Sequence, residues 1–460
     1  MNAPLSTLRA CAVLSFLISA NAALAQPDTS LPRRAWLGAA LEAADGGVRV
    51  REVMSGSSAE SAGIAPGDVI KQIASTPTAS VPEILAALRA ARSGASVDIV
   101  VERDATPKTL KMTLKEWPRE AATDAYEVEY GLVATDAGRL RTITFVPKTK
   151  QPDGKQPALL IIQGLGAATL DNPKPGEPVD QPTGMAVYRT LADALARDGY
   201  VVMRVDKGGC GDSEGDPTQL DFVTELAGYR NALQALKARP DVNGENVFLF
   251  GHSMGGVFGP LLAAETPVKG LAAYGTCLKT WIEYLAENHR RQALLAGANL
   301  ADYDRLARGL EKFNHELLVD KKSPRQILED DSKLTEIPAE MGMQGDLLFG
   351  RHYQFFQQLN DVNLPEAWSK HKGHALALWG EAEFVTGRDD HEQIAAIINE
   401  LRPGQGEFQV VKASDHGFGQ AATPLEALQA MQQAGPGAPS RFNPEIVRVL
   451  RNWMQATLAN

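Results

Sequence analysis

Three apolar runs constrain this chain more than any other feature: Ala158-Leu159-Leu160-Ile161-Ile162, Tyr200-Val201-Val202-Met203-Arg204-Val205 and Val247-Phe248-Leu249-Phe250. None alternates polar with apolar, so each reads as a strand covered on both faces. Between them, Met185 to Arg197 and Phe222 to Leu236 space their apolar residues as helices do. Ahead of them, Tyr126 to Val133 and Leu140 to Val146 alternate like paired strands. Strands alternating with helices predict an α/β fold with a mainly parallel sheet and helices on both faces. Function in such a sheet belongs at the carboxyl ends of the strands.

The third run leads into Gly251-His252-Ser253-Met254-Gly255-Gly256, and "VFGPLLAAE" after it reads as a helix. Glycines suit any sharp turn. A turn from buried strand to helix that pushes a serine Oγ into the open also needs small flanking residues, which Gly251 and Gly255 supply. The following helix brings its positive end close to a developing oxyanion. Ser253 is therefore the candidate nucleophile.

The sequence from about residue 125 to 460 resembles the α/β-hydrolase superfamily. Asp206-Lys207-Gly208-Gly209-Cys210-Gly211-Asp212-Ser213-Glu214-Gly215 matches its Asp-x-Arg-Gly-x-Gly-x-Ser-x-Gly loop, with Gly208 where arginine is usual. The resemblance implies backbone oxyanion donors at Met254 and, in "QGLGA", at Leu165, with Gly164 or Gly166 as alternatives. It implies a base in "VVKASDHGFG", which is His416. A neutral imidazole can accept the serine proton near neutral pH. The segment "ALALWGEAEFVTGRDDHEQIA" resembles the family's penultimate-strand segment, where Gly-x-x-Asp carries the acid, and counting from Gly380 puts Glu383 there as the acid that orients the ring. Asp390 is the alternative, although Asp389 and Asp390 also suit the cap of a helix starting at His391. His252 reads as structural. The long stretch from about 277 to 370, with helical spacing at Trp281 to Leu295, Tyr303 to Leu318 and Tyr353 to Leu359, resembles the family's helical cap.

A smaller, mainly-β unit precedes this one, over residues 36–116. Val48 to Val53 and Val97 to Arg103 read as strands, and Val81 to Ala91 as a helix. Ser57-Ser58-Ala59-Glu60-Ser61-Ala62-Gly63-Ile64-Ala65-Pro66-Gly67-Asp68-Val69-Ile70 resembles the signature of the bacterial PDZ domain, departing at Ser58, where proline is usual. The resemblance makes Trp36-Leu37-Gly38-Ala39 the loop that would hold the carboxylate of a protein C-terminus, with peptide binding and plain scaffolding both open.

Residues 1–25 read as an export signal: Arg9, an apolar stretch from Ala10 to Ile18, then Ala23-Leu24-Ala25 as a cleavage site. The mature chain is expected in the periplasm or outside the cell, with no integral membrane segment. Formal charge of -10 argues against a nucleic-acid partner. In an oxidising compartment Cys210 and Cys277 could pair as a disulfide. His371 and His374 read as solvent-facing, since no matching ligand spacing accompanies them. With no phosphate-binding glycine loop, flavin motif or zinc signature, no cofactor or metal is expected.

Together these features predict an exported serine hydrolase of carboxylic esters or thioesters. A serine peptidase of the aminopeptidase or prolyl-peptidase type is the alternative, and a non-catalytic PDZ-mediated peptide binder is a third reading from another class.

Overall fold

The computed structural model describes residues 31–166, 168–171, 186–434 and 441–459. The expected leader, residues 1–25, lies outside the described residues. None of the described helices is long and apolar enough to cross a membrane.

The N-terminal unit is an antiparallel sheet of β1 (Ala39–Ala44), β2 (Gly47–Val53), β3 (Val69–Ile73), β4 (Ser96–Arg103) and β5 (Thr106–Thr113), paired in that order. Two helices accompany it, α1 (Ser58–Ser61) and α2 (Val81–Ala90). Alternate residues of the strands, Val48, Val50, Ile70, Ile99 and Val101, meet Ile84 of α2 in one buried cluster. Strand β1 lies at the edge of the sheet, with one side of its ladder unpaired among the described residues.

The C-terminal unit is built on eight strands: β6 (Tyr126–Thr135), β7 (Gly138–Pro147), β8 (Gln156–Ile162), β9 (Val201–Val205), β10 (Val242–His252), β11 (Gly270–Tyr274), β12 (His374–Gly380) and β13 (Gly406–Val411). Their order is β13-β12-β11-β10-β8-β9-β7-β6. From β13 through β9 every pairing is parallel; β7 and β6 close the edge antiparallel. The apolar runs are continuous because both faces are covered. Leu160, Ile162 and Leu249 enter one core, while Leu159, Ile161, Phe248 and Phe250 enter the other. The first core lies under α4 (Phe222–Lys237) and α5 (Gly255–Glu265), and the second under α3 (Val187–Arg197) and the C-terminal helix Glu445–Ala459.

Between β11 and β12 the chain inserts α6 (Trp281–Leu295), α7 (Leu300–Leu318), α8 (Tyr353–Asn360) and α9 (Leu364–Lys370), with shorter pieces between them. Helix α9 buries Leu364, Ala367 and Trp368 at helical spacing and packs against α5 and α10 (Arg388–Leu401). It is therefore the crossover helix of the sheet. The span expected for the cap, about 277 to 370, includes it.

Two further expectations are corrected. Cys210 and Cys277 are both buried free thiols. They follow β9 and β11, which β8 and β10 separate. Three strand spacings amount to about 14 Å, twice the roughly 7 Å limit for the Cα atoms of a disulfide. His371 is fully buried rather than solvent-facing, with Nε2 3.0 Å from the His374 carbonyl oxygen.

The two units are joined through buried charge. Arg33 and Arg34 precede the short strand Ala35–Trp36, which pairs with Lys115–Glu116. Arg33 bonds Asp171 at 3.1 Å and also pairs with Asp212. Arg141, on β7, reaches Asp171 at 2.7 Å, Asp212 at 3.0 Å and also Asp206. All five side chains are at most 1% exposed. Removing one member of such a cluster leaves uncompensated buried charge. Arg141→Met is expected to lower unfolding free energy by about 3–5 kcal/mol, read from urea denaturation; a loss under about 1 kcal/mol would mean that the carboxylates find other partners.

Candidate active site

Strand β10 ends at His252, and helix α5 begins at Gly255. Ser253 is squeezed between them with φ +53°, a left-handed backbone that costs a residue with a Cβ about 1–2 kcal/mol. The turn is held by its own bonds: Ser253 N–H to Tyr274 O at 2.8 Å, and Gly256 N–H to Ser253 O at 2.9 Å. A Cβ on Gly251 would collide with the Gly255 carbonyl, and one on Gly255 with the carbonyl of Ile162 in β8. Only hydrogen fits at either position.

The loops after β12 and β13 meet beside this turn. His416 Nδ1 lies 2.8 Å from Glu383 Oε2, and the Glu383 side chain is wholly buried. Its other oxygen, Oε1, accepts the N–H groups of Val385 at 2.7 Å and Thr386 at 3.3 Å. Gly275, at φ +62°, leaves room for the pair: a Cβ there would lie 2.9 Å from both Glu383 Oε2 and His416 Nδ1. Burial raises the Glu383 pKa, but the charge and hydrogen bond of His416 and the Val385 amide outweigh it and the net shift is down. Burial likewise works against an imidazolium at His416, yet Glu383 and Asp415 raise the net pKa above 6.5.

The other candidate acid is elsewhere. Asp390, in the first turn of α10, accepts Leu278 N–H at 3.0 Å and lies 3.2 Å from Lys279 Nζ. Its neighbour Asp389 also pairs with Lys279, at 2.9 Å. The two aspartates tie the root of the insertion to α10, and the carboxylate bonded to His416 is that of Glu383.

His252 bridges the loops on either side of the serine. Its Nδ1 lies 2.6 Å from the Tyr188 hydroxyl and its Nε2 2.8 Å from the His416 carbonyl oxygen. Burial drives its pKa down to about 3, so the ring is neutral, with Nε2–H donating to that carbonyl and Nδ1 accepting from Tyr188. The Tyr188 hydroxyl in turn accepts Gly164 N–H at 2.8 Å. That bond removes Gly164 from the expected oxyanion donors. Among the described residues, neither Leu165 N–H nor Met254 N–H meets a protein acceptor. Gly164 packs against the serine, with a Cβ there falling 3.3 Å from Ser253 Cβ. Ser253 Oγ and His416 Nε2 share no hydrogen bond here; such bonds often tighten only around a bound substrate.

Several contributors escaped the sequence reading. Tyr188 on α3 and Tyr274 on β11, whose hydroxyl donates to Asp415 O at 2.5 Å, hold the loops of the site, and nothing in their local sequence marks them. Lys207 carried a signal, a lysine just past a buried strand inside a glycine-rich loop. Its Nζ bonds the Gly164 and Leu165 carbonyls at 2.5 and 3.1 Å. Among the described residues no group of His, Cys, Asp and Glu converges in a way that could hold a metal ion.

In the N-terminal unit, Trp36, Leu37, Gly38 and Ala39 line a groove of about 380 Å³ together with Leu85 and Leu88 of α2. The Gly209-Cys210-Gly211 loop of the C-terminal unit forms part of the same wall.

Comparison with known proteins agrees with both halves of this architecture. Residues 35–114 match the PDZ domain model, and residues 184–418, just over half of the chain, match the model described as serine aminopeptidase, S33. A search of curated proteins finds no match. Among solved structures, the chain is similar to the ferulic acid complex of Est1E from Butyrivibrio proteoclasticus, at 12% identity over 72% of this chain and 99% of that one, with a TM-score of 0.43. It is also similar to proline iminopeptidase from Mycobacterium smegmatis, at 16% identity over 72% and 99%, TM-score 0.42, and to the Pyrococcus furiosus esterase Pf2001, at 13% over 74% and 95%, TM-score 0.41. The chain belongs to the serine aminopeptidase S33 family of α/β hydrolases and carries a PDZ domain ahead of its hydrolase unit.

Proposed function

We propose that this hydrolase is exported and cleaves carboxylic esters or thioesters through an acyl-enzyme on Ser253. The observation that carries the reading is the buried Glu383–His416 pair at 2.8 Å beside a serine held at φ +53° between strand and helix. Ser253 Oγ attacks the substrate carbonyl carbon while His416 Nε2 takes its proton. Glu383 keeps the Nδ1 proton on its own side of the ring and stabilises the imidazolium. The carbonyl oxygen becomes an anion held by the Met254 and Leu165 N–H groups. As the tetrahedral adduct collapses, His416 returns the proton to the departing alkoxide or thiolate. Water then enters by the same base, and its attack releases the acid and the free serine.

The family's description favours a second reading, removal of an N-terminal residue from a peptide. An exopeptidase of that kind holds the substrate ammonium with a carboxylate. In the loops after β12 and β13 and at the start of α10, Glu383 is bonded to His416 and Asp389 and Asp390 pair with Lys279, while Glu381 and Asp415 accept only backbone N–H groups. Three of these five carboxylates are thus engaged by side chains of the protein itself, and we keep the ester reading first. For the PDZ groove, we take a protein C-terminus adding to the open edge of β1 as the partner, with its carboxylate at Trp36–Ala39. Export rests on the first 25 residues of the sequence.

Two outcomes are expected. On a panel of short-chain p-nitrophenyl esters and aminoacyl p-nitroanilides, turnover is confined to the esters; faster cleavage of the anilides would make the second reading the correct one. In the pH profile of kcat/KM, the acid limb follows His416 and not His252, whose pKa of about 3 keeps it out of range. Because the His416 pKa is raised, half of the activity is lost at a pH above 6.5 as the base protonates. Glu383→Gln removes the group that raises it, so the limb moves to lower pH while kcat falls on the order of 10⁴-fold. A limb that stays put would show that another group titrates.

A further inference from the structure

Lys207 lies at the end of β9, almost fully buried, and each of its bonds has a specific direction. Nζ donates to Gly164 O at 2.5 Å and to Leu165 O at 3.1 Å, and it pairs with Glu225 Oε1 on α4 at 2.9 Å. Burial and the nearby Arg351 charge hold the Lys207 pKa well below its usual range, and with or without the third proton Nζ has enough N–H groups to serve both carbonyls. The second Glu225 oxygen pairs with Arg351, which comes from the insertion and is also fully buried. The Arg351 guanidinium lies 4.8 Å from the Phe355 ring centroid of α8, so it is held from the insertion's side as well.

The peptide plane gives this arrangement a consequence at the site. In a trans peptide the C=O of one residue and the N–H of the next point in opposite directions. A donor that holds the Gly164 carbonyl therefore turns Leu165 N–H away from itself, and Leu165 N–H meets no acceptor among the described residues. Gly164 itself packs against Ser253. We propose that Lys207 is a positioning residue that fixes Leu165 N–H as an oxyanion donor, and that Glu225 and Arg351 tie this setting to the inserted helices. The inference deepens the reading of Ser253 as nucleophile and rests on it. The lysine stands one residue before the position where this loop usually carries its arginine, and it acts through the neighbouring loop without touching substrate.

The test follows phosphonylation by a fluorophosphonate probe, whose transition state also places negative charge on an oxygen next to the serine, so that no substrate need be known. Wild type, Lys207→Met, Arg351→Met and Ser253→Ala are compared at several probe concentrations, with folding checked by circular dichroism. Lys207→Met is expected to lower the maximal labelling rate about 10²-fold, the cost of losing one oxyanion donor, while half-saturation changes by less than about twofold. Arg351→Met lowers the same rate by roughly fivefold, and in a Lys207→Met/Arg351→Met double variant made alongside it adds little to the loss of Lys207→Met, as expected for groups acting as one unit. A folded Lys207→Met protein that labels at the wild-type rate, or one whose loss lies in half-saturation alone, overturns the proposal. Should Lys207→Met fail to fold, Arg351→Met decides by the same split. If the wild type takes no label, or Ser253→Ala takes as much, the nucleophile reading itself falls, and the proposal with it.

Discussion

The site depends on a steric constraint at one turn. Strand β10 can run against β8 and still turn into α5 only because Gly251 and Gly255 present hydrogen where a Cβ would strike a backbone carbonyl. The close approach drives Ser253 into a left-handed backbone, at a cost of about 1–2 kcal/mol that the surrounding bonds must offset. Those bonds come from Tyr274 on the neighbouring strand and from the first turn of α5. Strain and fixation together set the serine at the carboxyl end of the sheet, where the loops after β8, β12 and β13 converge.

Each of those loops is tied down by a buried polar group, and the ties differ in kind. The loop after β8 is held from two sides, by Tyr188 at Gly164 N–H and by Lys207 at the Gly164 and Leu165 carbonyls. The loop after β13 is held by neutral His252 and by the Tyr274 hydroxyl. The loop after β12 folds its own amides onto Glu383, while Asn288 and Arg291 of α6 bond the Val385 carbonyl at 2.7 and 2.9 Å. Neutral histidines are used where a charge would be stranded: burial lowers His391 to about 4, and its ring joins Thr276 N–H to the Gly387 carbonyl. Dipoles fixed before the substrate arrives need no reorganisation as charge develops, which is where the largest share of such catalysis is expected to lie.

The core and the serine were legible in the sequence because each obeys a local rule. Leu159 to Ile162 and Val247 to Phe250 advertise burial on both faces, and the glycines around Ser253 advertise a turn. His416 was reached by topology, since the loop after the last strand must lie near the serine, and Glu383 by the family's spacing counted from Gly380; the structure brings the two side chains together. What stayed hidden was non-local. Whether Glu383 or Asp390 meets His416 depends on Lys279, a residue more than a hundred positions upstream that holds Asp390. The supposed pairing of Cys210 with Cys277 failed on strand order, which loop lengths do not reveal. Glu225, Lys207 and Arg351 come from a helix, a loop and the insertion, and no spacing in the sequence links them. His371 was misread because its burial is set by α9, which the sequence reading had assigned to the cap.

The central claim is that Ser253 is the nucleophile of this fold, and locating a covalent adduct tests it most directly. The protein and its Ser253→Ala variant are incubated with a fluorophosphonate, digested, and the modified peptide identified by mass. A single adduct on the peptide containing Ser253, absent from the variant, is the result this account predicts. An adduct on another residue, or equal labelling of the variant, would contradict it.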